Sequence, residues 1–486
     1  MSASTAPAAK NTSYYIKALI TIVIMFGFGQ LPAIDPITPL GMNIVGIFIG
    51  LLFGWMTIGL IWPSILGCVA LVLIGGMSVA DVLAGGWGST TQMLIFFMIV
   101  VAGIVEQSGV SRFIAMFLIT RKWVLGKPWV FTFVFLGAAF LLAAVTSTIP
   151  TIIICWSIWY SICNQVGYKP YQPFPSFMVV GVVMAATFGL SVFPFRPVGI
   201  LVFGILKDLS GLSVNYLTYT CFTLPLCLLC ILVFTLLGKL VFHIDVSLLK
   251  NLNEDSFKDV DLSLNRQQKA ILIFVAVLIV LLLVPSVLPQ TFFLAAILKK
   301  LDAVGTAMVL VAVMCALKVD GKPILNFKEV CSKGMQWDVL MLTAVVMPLS
   351  SVLTADETGV TNFLLKVLSP LFEGRSAITF LMIAVFSAVI ITNFAVNNVV
   401  GAILLPVFYP FALQLGIAPL ALTSLLVFTC HFALLTPAAS PMAALLHGNT
   451  QWCRTSDIYK YGFLIVISSM IVAWVAGIPY ALFLFQ

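Results

Sequence analysis

Apolar runs of 18 or more residues recur from Tyr14 to the C-terminus, each long enough to cross the ~30 Å hydrocarbon core of a bilayer as a helix. Lipid offers no partners to backbone N–H and C=O groups, so a chain patterned this way must satisfy them within its own helices. Only 8% of the residues are charged and 62% are hydrophobic, which excludes a soluble globular enzyme. The fold class read from this is an all-α polytopic membrane protein. The opening stretch, MSASTAPAAKNTSYY, is a short polar tail without a cleavage signal, and it runs directly into a span that is expected to be retained.

Eleven spans are expected: 14–33, 40–54, 58–75, 90–107, 176–206, 216–242, 269–289, 303–318, 337–354, 420–448 and 460–484. The fifth and tenth are broken at proline-rich centres. Two further apolar pairs, 129–145 with 149–166 and 376–391 with 399–415, are interrupted by only a few polar residues. They read as re-entrant hairpins that enter and leave on one side, which lipid-excluded surroundings alone permit. The net charge of +7 matters through its location and gives no reason to expect a nucleic-acid partner. With the N-terminus in the cytoplasm, five of the 24 Lys and Arg (Lys207, Lys299, Lys300, Lys366 and Arg375) fall outside. Arg196 alone lies within the membrane, and the rest fall inside. Short loops and the uncleaved N-terminus fit a cell membrane.

The one extended polar segment, 243–268, divides the chain into two halves that repeat. Residues 1–37 form a tail and first span, 38–242 the first repeat (hairpin 129–166, broken helix 176–206), and 269–486 the second (hairpin 376–415, broken helix 420–448). Trp87, Gly109-Val110, Phe113 and Leu118 recur at a constant offset as Trp337, Gly359-Val360, Phe363 and Leu368. FGLSVFPFRPVGILVFG (188–204) aligns without gaps to FALLTPAASPMAALLHG (432–448). Each half crosses an odd number of times, so the second copy is inverted. Inverted repeats with paired discontinuous helices are the pattern of secondary transporters, with the site at the repeat interface.

The chemistry-bearing residues cluster at the tips and breaks. The first tip carries Thr146, Ser147 and Thr148; the second carries Thr392, Asn393 and Phe394, followed by Asn397 and Asn398. Each tip starts a half-helix whose free N–H groups favour an anion, while hydroxyls, amides and carbonyls there supply oxygen ligands to a hard cation. The alternative is that these side chains only cap helices. The breaks hold Arg196 between Pro194 and Pro197 in the first repeat, and Thr436-Pro437 in the second. Arg196 attracts an anion, is held by carbonyls freed at the break, or snorkels to an interface. His431 and His447 read as packing or hydrogen-bonding residues, Glu106 and Asp356 as helix-end acids, and Cys227 and Cys230 as packed thiols.

These features resemble the divalent anion:sodium symporter family, within the ion transporter superfamily, from about residue 38 onward. The resemblance implies a homodimer with an elevator movement of a transport domain, carrying di- or tricarboxylates or sulfate with sodium. It implies substrate contacts from Thr146, Ser147, Thr148, Thr392, Asn393, Phe394, Thr436 and Pro437. Sodium sites beside the tips would use Thr146, Ser147, Thr392, Asn393 and Asn397. Two positions depart from the family pattern: Ser147 stands where an Asn is usual, and Phe394 where a Thr is. Arg196 could offset the missing amide with a charge-assisted contact, so Arg196 joins the expected substrate-binding set. No cofactor is expected beyond sodium. Exchange of anions, a passive anion channel and a membrane-embedded enzyme remain as alternatives. The sequence contains no H-E-x-x-H, G-x-S-x-G or P-loop to support the enzyme.

Overall fold

The computed structural model describes residues 12–119, 124, 126–252, 263–289, 291–372, 374–437 and 439–486. The first eleven residues of the tail, residues 253–262 of the linker and Ala438 in the second break lie outside them.

The first half begins with α1 (Thr12–Gly27), followed by α2 (Pro39–Thr57), α3 (Ile61–Leu73), α4 (Val79–Gly85), α5 (Thr90–Gln107) and α6 (Val110–Ile119). Then come a hairpin, α7 (Pro128–Val145) with α8 (Thr148–Val166), a broken span, α9 (Pro173–Gly189) with α10 (Pro197–Ser210), and α11 (Tyr216–Leu240). The second half repeats this order. It runs α12 (Arg266–Val287), α13 (Phe293–Ala316), α14 (Phe327–Gly334), α15 (Trp337–Leu353) and α16 (Val360–Phe372). The hairpin α17 (Ala377–Thr392) with α18 (Asn397–Gln414) and the broken span α19 (Pro419–Thr429) with α20 (Pro441–Gly448) follow. Last, α21 (Thr455–Val472) passes through a π-helical turn into α22 (Ile478–Leu484).

Helices lie over every expected span and over both arms of each expected hairpin, and α7, α8 and α18 are each long and apolar enough to cross a membrane. Nine helices among the described residues are long and apolar enough to cross a membrane, and the protein is an integral multi-pass membrane protein. The sequence reading lacked four short helices, α4, α6, α14 and α16, which fill matching places in the two halves. It also lacked the kink of α13 at Asp302, where the backbone takes φ 57° and ψ −178°.

Local signals explain the element ends. Thr38 caps α2, its hydroxyl accepting the Gly41 N–H at 3.1 Å, with Pro39 at the first helical position where its missing N–H costs nothing. Ser78 and Asp81 form a reciprocal capping box on α4, and the Ser78 hydroxyl holds the Asp81 carboxyl below the usual carboxylate range. Asn265 and Gln268 form the same box at the start of α12.

The chain packs as two compact units. One holds α1–α4 with α15 and α16 from the second half; the other holds α5–α14 and α17–α22. Each unit thus mixes the repeats. In the first, α15 packs on α2, α3 and α4; in the second, its counterpart α5 packs on α12, α13 and α14.

The second unit contains both hairpins and both broken spans. Hairpin arms α7 and α17 lie along the first halves of the broken spans in their own repeats, α9 and α19. The second halves cross over: α10 packs on α18, and α20 packs on α8 and α9. Close approach depends on glycine at one point. A Cβ on Gly189 would lie 2.5 Å from the Phe140 carbonyl oxygen and 2.9 Å from the Ala144 nitrogen, both backbone atoms that cannot swing aside. Gly189→Ala is expected to destabilise the protein by about 1–3 kcal/mol, the usual cost of overpacking. The check is the thermal unfolding midpoint of the purified variant, and an unshifted midpoint would show that the helices can separate at no cost.

Candidate functional site

The prolines of the first break remove backbone donors and end α9 at Gly189. Carbonyls left behind in an apolar interior need partners, and α11 supplies two. Tyr219 Oη donates to the Ser191 carbonyl and Thr223 Oγ1 to the Val192 carbonyl, each at 2.9 Å. The break is thereby braced from one side by hydroxyls.

Arg196 sits at the other side of the break, as the residue preceding α10, and is 8% exposed. Its guanidinium reaches the first hairpin. Nη2 donates to the Thr146 carbonyl at 2.8 Å and to the Ala143 carbonyl at 3.3 Å. The carbonyls that hold it belong to the tip, not to its own break. Its Nε–H is buried without a partner among the described residues, so the guanidinium retains donor capacity. Within the tip, the Thr146 hydroxyl is consumed locally, by Leu142 O at 2.8 Å and Thr151 Oγ1 at 2.9 Å. Thr148 is buried and Ser147 half-buried. Ser147 occupies the capping position of α8 but its side chain caps nothing.

In the second repeat the stitching runs the opposite way. Asn393 is 2% exposed, and both atoms of its amide are saturated, three of the four partners coming from the second break and one from its own helix. Its Oδ1 accepts the Leu434 and Leu435 N–H groups at 3.0 and 2.9 Å, while Nδ2 donates to Phe432 O at 3.0 Å and Val389 O at 2.8 Å. Thr392 Oγ1 donates to Cys430 O at 2.7 Å, and Thr436 Oγ1 to Asn393 O at 2.6 Å. Ser440, the position aligned with Arg196, caps α20 through the Ala443 N–H and donates to Ala433 O. Here a tip side chain holds the break; in the first repeat a break side chain holds the tip. Ser147 cannot do for its break what Asn393 does, and Arg196 makes the equivalent connection from the far end.

Of the remaining expected residues, Asn397 is buried, with Oδ1 accepting the Asn398 N–H at 3.0 Å. Phe394 is 59% exposed and takes no part in the network; Pro437 is also exposed. The structure therefore joins Arg196 to Thr146 and Thr436 to Asn393, and ties Thr392 to the same break at Cys430. The sequence reading missed Tyr219 and Thr223, which do not stand out from the other Tyr and Thr residues in the first two turns of α11.

His431 follows α19 at the mouth of the second break. Its Nδ1 lies 2.7 Å from the Val427 carbonyl, which fixes the proton on Nδ1 and leaves Nε2 as an acceptor, buried and unpartnered among the described residues. The Phe188 and Phe432 rings, 5.4 Å apart, bring the two breaks together. All ten cysteines are free, Cys227 packing against Ser191. No group of three or more His, Cys, Asp or Glu suited to a metal occurs among the described residues.

The chain is 25% identical over 168 residues to an uncharacterized transporter of Haemophilus influenzae, over 35% of this chain and 36% of that one. It is 25% identical over 150 residues to the sodium-dependent high-affinity dicarboxylate transporter 2 of Caenorhabditis elegans, over 31% of this chain and 26% of that one. The aligned segments thus span about a third or less of these relatives' length. The fold is similar to the crystal structure of the Alcanivorax borkumensis YdaH transporter, with TM-score 0.58 and 16% identity over 82% of this chain and 86% of that one. The sequence model of the sodium:sulfate symporter transmembrane region matches residues 12–486, essentially every described helix. The chain belongs to the sodium:sulfate symporter family.

Proposed function

We propose that the protein is a secondary active transporter that carries small organic anions, carboxylates in the first instance, together with sodium. The observation that carries the reading is the paired stitching of hairpin tips to helix breaks. It produces two half-helix N-termini and a buried guanidinium in one unit of the fold. Helix N-termini favour anionic oxygens, and Arg196 adds the only full positive charge among the residues of the tips and breaks.

The substrate's anionic end is placed against Ser147, Thr148 and the spare donor of Arg196. Its less polar end lies toward Phe394, with Thr436 and Pro437 completing the wall. Sodium is written here as cargo. Its oxygen ligands come from the second tip, from the Thr392 hydroxyl, the Asn397 side chain and backbone carbonyls near Asn393, whose own amide is engaged by the second break; no protein cation competes there. At the first tip, Thr146 and Ser147 are a poorer cation site, because the Thr146 carbonyl already accepts from Arg196. The reading includes a homodimer in a cell membrane with a cytoplasmic N-terminus, and an elevator movement of the hairpins and broken spans.

Uptake of labelled succinate and citrate into proteoliposomes tests it. Uptake is expected to rise at least about tenfold when an inward sodium gradient replaces a potassium gradient. Uptake that requires only a counter-anion inside would make the protein an exchanger, and flux that never saturates would make it a channel.

A further inference from the structure

A cavity of about 210 Å³ lies in the second unit, walled by α5, α10, α12 and α13 and by the loop into α11. Its mouth is charged. Lys207 and Asp302, whose side chains are 48% and 60% exposed, face each other there with Nζ and Oδ2 3.9 Å apart, and Lys299 stands beside them. Its floor is Pro194, buried in the first break two residues before Arg196. Thr90, Thr91, Ser213, Ser286 and Thr306 place hydroxyl-bearing side chains among the apolar residues of the walls.

Asp302 is the unusual residue. Its backbone, at φ 57° and ψ −178°, occupies a region that is close to glycine-only and costs an ordinary residue about 1–3 kcal/mol. The conformation is held in place on both sides. Asp302 Oδ1 accepts the Ala303 N–H at 2.7 Å, restarting α13, and its carbonyl accepts from Thr306 Oγ1 at 2.8 Å. Oδ2 is left to meet Lys207. One carboxylate oxygen of Asp302 thus stands at the mouth with Lys207 and Lys299, and Asp208, next to Lys207 in the chain, adds a second negative charge near Lys207.

We propose that this cavity is an anion-recruiting vestibule, taking small carboxylates at Lys207 and Lys299 and delivering them toward the first break. Asp302 sets how much of that positive charge is free. The vestibule rests on the transport reading only for the identity of the anion. Field focusing in a low-dielectric cleft raises the local concentration of an oppositely charged solute, and a cavity ending at Pro194 brings it to the element that carries Arg196.

The test needs no transport. Ser286→Cys, in the full-length protein reconstituted in nanodiscs, is labelled with an anionic and a cationic methanethiosulfonate of similar size, and modification is read at residue 286 by mass spectrometry. The anionic reagent is expected to react roughly tenfold faster at low ionic strength. Lys207→Gln with Lys299→Gln should bring the ratio near one. Asp302→Asn, which keeps the capping oxygen, should raise it. Succinate should protect residue 286 in the parent and not in the double lysine variant. An anionic-to-cationic ratio at or below one, a ratio indifferent to the lysines, or a fall with Asp302→Asn overturns the vestibule. So does anionic preference without protection by succinate, because the anion would then have no place on the substrate's path. These outcomes are independent of sodium-driven uptake, so the vestibule and the transport reading can fail separately.

Discussion

Arg196→Gln is expected to reduce carboxylate uptake at least about a hundredfold. Two buried carbonyls, of Ala143 and Thr146, accept from the guanidinium, and a hydrogen bond to a charged group contributes about 1.5–3 kcal/mol. Each 1.4 kcal/mol is a factor of ten, so loss of both bonds accounts for the size of the effect. The variant also removes the positive charge assigned to the anion. Arg196→Lys should recover part of the activity, since an ammonium supplies the charge without the planar, several-donor geometry. The measurement is initial uptake rate in proteoliposomes at matched protein incorporation. Uptake by Arg196→Gln within about twofold of the parent would remove the arginine from both roles.

The second large effect is expected at Asn393, and it is an effect on stability first. Asn393→Leu leaves the Leu434 and Leu435 N–H groups and the Phe432 carbonyl without the partners they have now. An orphaned buried polar group costs about 1–3 kcal/mol, so the variant should lose about 4 kcal/mol or more. Asn393→Asp should fare little better: it retains acceptors for the two N–H groups but turns a negative charge toward two carbonyls. Thermal unfolding of the purified variants separates this from a purely local loss of binding. A melting temperature equal to the parent's would show that the second break holds its shape without the amide.

The spans and hairpins were legible because hydropathy and chain length leave a membrane helix few alternatives. Polar tips at Thr146–Thr148 and Thr392–Asn393 marked the turns for the same reason: lipid tolerates such residues only where something inside the protein meets them. What met them was not legible. The partners of Asn393 lie up to 42 residues away and are backbone groups, which leave no trace in residue identity. Arg196 was recognisable as an expensive charge, and its attachment to carbonyls was one of the three readings open to it. That those carbonyls belong to the hairpin follows only from α7 lying against α9. Helices α4, α6, α14 and α16 escaped because segments of 7 to 13 residues are too short to register as spans. The kink at Asp302 escaped because neither proline nor glycine marks it.

The exchange of α5 and α15 between units has a consequence for biosynthesis. When α5 emerges from the ribosome, the helices it will pack against have not yet been translated. It must wait in the membrane, or at the insertion machinery, until the chain has been made through α14. In the first half alone, α5 lacks the partners that it has in α12, α13 and α14. A duplication that began as two self-sufficient proteins would, once α5 and α15 had changed places, have become an assembly whose halves depend on each other from the first moment of synthesis.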